Sequence, residues 1–152
     1  MNLLVREDHE VVYVERATVN RMMRVEQIVG GRALLHITAV GKLMLGQLGK
    51  NGLDRYVSKT SLPRFTRNTI TTADRLREAV SEANSKGYAY DNEEAERGVG
   101  CVGVLVEYQG RKDLVGLSIS APIDRRSPDW IPLLMKSATL LSDRLSRTPP
   151  VD

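Results

Sequence analysis

The stretch GYAYDNEEAERGVGCVGVLV, residues 87–106, sets four carboxylates, Asp91, Glu93, Glu94 and Glu96, a few residues ahead of the chain's single cysteine, Cys101. Such groups can serve a metal, a nucleophile or a binding wall. A metal cage wants imidazole or thiolate ligands at close, recurring spacing, and the two histidines, His9 and His36, lie far away in sequence. A cysteine nucleophile needs a nearby base to raise its thiolate fraction, whereas glycine and valine surround Cys101, the setting of a small buried hydrophobe. Glu94 and Glu96 read as part of a solvated acidic loop. Asp91 differs, because it ends the apolar-aromatic run YAYD, where an inward-facing carboxylate needs a partner or a ligand.

Other residues could complete a binding wall. Gly98, Gly100 and Gly103 either leave room for a ligand against a sheet or mark a bulge or close helix packing, and their spacing favours neither. In LSIS, Ser118 and Ser120 are two apart, so on a strand both hydroxyls project from one face. Thr38-Ala39-Val40-Gly41 opens a helix whose first N–H groups attract an anion without a charged side chain, although an ordinary capped helix is spelled the same way.

These residues need elements to hold them. LLVRE and VVYVERATV flank DHE as an opening β-hairpin. Thr38 is the expected N-cap of a helix from Ala39 to about Leu48, and a brief second helix is expected over Lys50 to Tyr56. SLPRFTRNTITT then reads as a polar loop anchored by Leu62, Pro63 and Phe65. Thr71 or Thr72 caps a helix with Leu76, Ala79, Val80 and Ala83 on one face, closed by Gly87. YAYD is a short strand, and VGCVGVLVEY and DLVGLSISAP are two longer ones joined through QGRK. Ser127-Pro128-Asp129 opens a last helix carrying Trp130, Leu134, Ala138, Leu141 and Leu145, with Pro128 at its first position, and the tail RTPPVD frays. Strands arrive in pairs, which predicts an α+β domain: a mainly antiparallel sheet flanked by helices.

Composition narrows the function. The 152 residues suit one domain with a real core. Twenty-two basic against nineteen acidic side chains leave a charge of only +3, too weak and too scattered for a nucleic-acid surface. One cysteine cannot form an internal disulfide, MNLLVREDHE is charged too early for a secretory core, and no run nears the roughly 18 apolar residues of a membrane span. A soluble, cytoplasmic protein is expected.

In their order, four segments resemble the effector-binding domain of the IclR family of bacterial transcription regulators, over nearly the whole chain. HITAVGK looks like the family's H-A-T-A-x-G-K, and LPRFTRNTIT like L-x-x-x-T-x-x-T-I-T. GYAYDNEEAERGVGCVGVLV is similar to G-Y-A-x-D-D-E-E-x-x-x-G-V-x-C-I-A-A-P-V, and GLSISAPIDR to the S-V-S-G-P closing strand. The resemblance implies a GAF-like sandwich over residues 1–147, a flexible tail over 148–152, and a winged helix-turn-helix DNA-binding domain that this chain lacks. It also implies a non-catalytic sensor of a small organic or aromatic acid, without cofactor or metal, that forms a homodimer or homotetramer and meets DNA only through the missing domain.

Carried over by position, the family's pocket falls on the Ala39 and Val40 backbone, Asp91, Val99, Cys101, Ser118 and Ser120, with Met22, Val25 and Ala33 as apolar lid or wall. Asn92 stands where the family has a second acid, Ala121 where it has glycine, and Val102-Gly103-Val104 where small alanines and a proline are common. Those departures bear on the identity of the ligand more than on the fold. The rival reading is a small enzyme with Asp91 or Glu93 as general base and Cys101 beside it, needing His36 brought close. A third is an oligomerisation module whose pocket is filled by its own side chains.

Overall fold

Alternating side chains make a sheet with two usable faces, and both are used. The computed structural model describes residues 1–18, 25 and 27–147. Six strands, β1 (Asn2–Glu7), β2 (Glu10–Arg16), β3 (Arg32–Leu34), β4 (Ala89–Asn92), β5 (Val99–Tyr108) and β6 (Arg111–Pro122), form one sheet in the order β3-β2-β1-β6-β5-β4. Every neighbouring pair is antiparallel. Four helices flank it: α1 (Ala39–Gln47), α2 (Gly49–Thr60), α3 (Ala73–Lys86) and α4 (Trp130–Arg147). The family-implied α+β sandwich is the observed architecture. Among the described residues no helix is long and apolar enough to cross a membrane.

On one face Leu4, Val11 and Tyr13 pack with Val40, Met44 and Leu45 of α1, Leu53 and Tyr56 of α2, and Leu76 and Val80 of α3. On the other, Val102, Val104, Val106 and Leu117 pack against Leu134 and Ala138 of α4, with Trp130, Leu141 and Leu145 at the margins, as the spacing of that helix predicts. Burying this much aliphatic surface is the main source of stability for both layers.

The expected hairpins and helices form, with local differences that have physical causes. α2 runs to Thr60, beyond the expected end at Tyr56, because Val57 joins the core and the chain turns only at Ser61, in a left-handed conformation (φ 56). The loop after α2 is anchored by Leu62 and by the buried hydroxyls of Thr66 and Thr69. Phe65 is 53% exposed and Pro63 is exposed, so neither is an apolar anchor there. Helix α4 starts at Trp130; Ser127-Pro128-Asp129 forms the turn before it, with Ser127 Oγ accepting from the Asp129 amide at 3.2 Å. Met22 and the tail 148–152 lie outside the described residues.

The glycines of β5 and β6 set the distance between α1 and the sheet. A Cβ on Gly103 would stand 2.7 Å from Val40 Cγ2, and one on Gly116 would collide with Val40 as well. At Gly100 the crowding comes from Ile123 Cδ1, 2.6 Å away, and Gly98 (φ 80) occupies a turn. Of the two readings of Gly98, Gly100 and Gly103, the space is therefore used for close packing and turning. It is not free volume for a ligand.

Candidate ligand-binding cavity

The N-terminus of α1 points at the sheet over a cavity of about 270 Å³. Each strand supplies a residue to its wall: Ala33 from β3, Tyr13 from β2, Leu4 from β1, Ser118 from β6, Cys101 from β5 and Asp91 from β4. Val99, Ala95 and Glu96 close it on the β4–β5 side, while Thr38, Ala39 and Val40 close it from the helix. Ile28 and Gly31 lie at the edge. The space between Asp91 and Ser118 is open, so among the described residues no side chain fills it as an oligomerisation module would require.

Local rules explain the helix end. Thr38 is extended (φ −121, ψ 146), its Oγ1 accepts from the Gly41 amide at 3.0 Å, and its carbonyl accepts from the Lys42 amide at 3.2 Å. The two amides before these, Ala39 and Val40, have no carbonyl one turn back within the helix. They sit where the helix dipole is positive, at the cavity wall.

Asp91 is held by a loop that is itself tied down. It is 2% exposed, and its Oδ1 accepts from the Glu94 amide at 2.7 Å. The Glu94 carboxylate accepts from Lys42 Nζ at 2.7 and 2.9 Å, and the same ammonium donates to the Tyr90 carbonyl at 2.5 Å. Thr66 and Thr69 donate to the Glu93 and Glu94 carbonyls at 2.6 and 2.7 Å. Arg126 stacks over the Tyr90 ring at 4.2 Å and donates to the Asp91 carbonyl. Glu94 is thus buried and ion-paired, contrary to the solvated loop expected for it, because Lys42 of α1 reaches it from 52 positions away. Glu96 is exposed, as expected.

Burial raises the Asp91 carboxyl from the usual 3.8 to about 6, with the nearby Glu94 charge adding to the effect and the Glu94 amide opposing it. Burial likewise lifts the Cys101 thiol to about 12, helped by Asp91, so at neutral pH it is a thiol. Its Sγ donates to Ser120 Oγ at 3.2 Å. His36 is committed elsewhere. Its Nδ1 lies 2.8 Å from Tyr56 Oη and its Nε2 3.2 Å from the Pro63 carbonyl, and burial keeps its pKa below the ordinary value. The imidazole of His36 is therefore not placed beside Cys101. Among the described residues no three His, Cys, Asp or Glu side chains gather as metal ligands.

Of the residues expected in the pocket, Ala33, Ala39, Val40, Asp91, Val99, Cys101 and Ser118 are brought together. Ser120 is not among the lining residues, and its hydroxyl accepts from Asn2 Nδ2 at 3.1 Å and from Cys101. Val25 is half-buried but is not at this cavity, and Met22 lies outside the described residues. Sequence reasoning missed Leu4, Tyr13 and, as a wall residue, Thr38. Their signal was position: Leu4 and Tyr13 face the same layer as Ser118, across strands that the opening hairpin places beside β6.

The model of the family described as the bacterial transcriptional regulator IclR C-terminal domain matches residues 1–147. The chain belongs to this family. It is similar to the transcriptional repressor IclR of Escherichia coli strain K12, 27% identical over 86% of this chain and 48% of that protein. Among solved structures it superposes on a transcriptional regulator from Rhodococcus sp. RHA1 with a TM-score of 0.89 at 28% identity, covering 95% of this chain and 61% of that one. The inducer-binding domain of the PobR transcription factor from Acinetobacter, solved as a double mutant with 3-hydroxybenzoic acid, gives a TM-score of 0.83 at 28% identity, covering 93% and 86%. The chain spans about half the length of the curated relatives it matches. Those relatives are transcriptional regulators.

Proposed function

We propose that this IclR C-terminal domain is a sensor: it binds a small organic or aromatic acid in the cavity under α1 and passes the binding energy on to DNA-binding domains of a regulator. The observation that carries this reading is the cavity itself, where the first turn of α1, the Ser118 hydroxyl and the Asp91 carboxyl line about 270 Å³. Ligand pockets usually hold about 300–1,000 Å³, so this one suits a molecule with a single ring or a short chain. The acid's carboxylate sits on the Ala39 and Val40 amides with help from Ser118, and Asp91 accepts from a donor at the other end of the ligand. Arg32 at the rim is bridged to Glu7 and Glu10, which leaves anion recognition to the backbone. The PobR domain with its hydroxybenzoic acid supports an aromatic acid on this fold.

A ligand that favours one arrangement of a homodimer or homotetramer over another shifts that equilibrium by its differential affinity, typically about 1–3 kcal/mol. The test is a thermal-shift screen of this domain against aliphatic and aromatic carboxylic acids, followed by calorimetry. A ligand of the folded state raises the melting temperature, and Ser118→Ala is expected to weaken it several-fold with little change in the unliganded melt. No shift with any acid, or equal affinity in the variant, rejects the assigned cavity.

A further inference from the structure

The loop after α2 carries an aromatic side chain outward on a fixed frame. Phe65 is 53% exposed, and Arg64 and Arg67 beside it are exposed as well. Surface loops are usually the mobile parts of a fold, yet this one is hydrogen-bonded along its length. Thr69 Oγ1 accepts from the Phe65 and Thr66 amides at 3.0 and 2.8 Å, and Thr66 Oγ1 accepts from the Asn68 amide at 3.0 Å. Both hydroxyls donate onward to the Glu93 and Glu94 carbonyls, and Asn68 Nδ2 donates to the Asn92 carbonyl at 3.0 Å. The backbone under the ring is thus fixed, which removes part of the ordering cost of binding a partner. The charges of the loop are not neutralised. Arg64 donates to the Thr66 and Arg67 carbonyls and the Thr71 hydroxyl, and among the described residues neither Arg64 nor Arg67 pairs with a carboxylate. Asp54, the one acid over residues 49–71, is bridged to Arg77 of α3.

A receptor of the opposite charge lies on the same chain. At the β1–β2 turn a cleft of about 430 Å³ is lined by Glu7, Asp8 and Glu10, with Leu34 as its apolar patch and Arg32 and Lys59 as its cations. Arg32 bridges Glu7 and Glu10, and Asp8, its side chain 89% exposed, lies 3.8 Å from the His9 imidazole. Three carboxylates against two cations leave the cleft a surplus of negative charge. Arginine and aromatic side chains are the usual anchors of protein interfaces, and a phenyl ring has no role on a duplex backbone, so the loop suits a protein surface over DNA. Loop and cleft are neighbours. Lys59 and Thr60 line the one, and Phe65 follows Thr60 by five residues, at most about 18 Å along the chain. Phe65 is exposed, so it does not fill the cleft of its own chain. Two complementary patches this close together can be paired reciprocally by one two-fold axis. We propose that the loop 63–69 docks on a second copy of this chain: Phe65 enters the cleft of the other copy against Leu34, Arg64 and Arg67 meet Glu7, Asp8 and Glu10, and the reverse contact forms across the axis. This gives self-association a surface, and it does not depend on what the cavity under α1 binds.

The experiment is sedimentation velocity over a concentration series, on the wild-type chain, on Phe65→Ala, on Arg64→Glu with Arg67→Glu, and on Glu7→Lys with Glu10→Lys. The wild type is expected to form dimers that weaken with added salt, and each variant to dissociate about ten-fold or more readily. The replaced side chains are on the surface, so melting temperatures should stay near that of the wild type. The deciding sample is an equimolar mixture of the two charge-reversed variants, in which every loop again meets a cleft of opposite charge. It should recover dimers that neither variant forms alone. A wild type that stays monomeric throughout, variants that associate as the wild type does, or a mixture that recovers nothing overturns the proposal. So does a loop variant that loses binding to duplex DNA while its self-association is unchanged, which would give the loop to nucleic acid.

Discussion

β5 and β6 build two unlike surfaces from the same two strands. Toward α4 they present Val102, Val104, Val106 and Leu117, a dry layer closed by Leu134 and Ala138. Toward α1 the intervening positions are Leu105 and a run of small or polar residues, Cys101, Gly103, Gly116, Ser118 and Ser120, with a cavity and a buried ion pair beside them. The α4 face is optimised for packing, so changes there should be felt as stability. The α1 face carries costs that a folded core has no need of, namely a buried carboxyl raised to about 6 and open volume. That contrast is the expected mark of a site on a scaffold.

The largest expected effect tests whether the polar layer is held by its ion pair. Lys42 and Glu94 have side chains only 6% and 7% exposed. Lys42→Met strands a buried carboxylate and should cost about 3–5 kcal/mol in urea unfolding, whereas Lys42→Met with Glu94→Leu should recover much of that loss. Leu134→Ala, on the dry face, should cost about 2–5 kcal/mol and leave ligand affinity unchanged in the folded fraction. An affinity loss from Leu134→Ala would erase the division of labour between the faces.

Asp91 gives a smaller effect of the opposite sign. Its pKa rises from 3.8 to about 6 on folding, so the folded chain holds the proton more tightly between those values. Stability is therefore highest below pH ~4 as far as this group is concerned, falls as pH rises through the window to ~6, and is flat above it. Asp91→Asn keeps an acceptor for the Glu94 amide and should stabilise the domain at pH 7 by about 1–3 kcal/mol while flattening that slope, read by denaturant titration at several pH values. It should also weaken a ligand that donates to Asp91, as expected where function has been favoured over stability. Ser118→Ala should be the mildest, within about 0.5 kcal/mol in stability, because Asn2 Nδ2 also donates to Ser120.

What was legible in the sequence was local. Thr38 announces its cap because the bond it makes reaches only three residues on, and YAYD marks Asp91 because strand alternation needs no knowledge of the partner strand. The Lys42–Glu94 pair was hidden: a lysine within ITAVGKLMLG resembles a surface position, and its partner is 52 residues away. Tyr13 was hidden for another reason. Val11, Val12 and Tyr13 are all buried and the β1–β2 register shifts between Leu3 and Leu4, so alternation in the opening hairpin does not reveal which side chains face α1. Phe65 misled because an aromatic in a loop looks like an anchor, whereas threonine hydroxyls do that work here.

The account depends most on the amides that open α1. In a backbone NMR titration of the wild-type domain with 3-hydroxybenzoate or lactate, the Ala39 and Val40 amide resonances should move furthest, accompanied by Ser118 and Asp91 and not by Leu134 or Ala138 of α4. Saturating shifts centred on α4, or bound ligand that leaves Ala39 and Val40 unmoved, would contradict it.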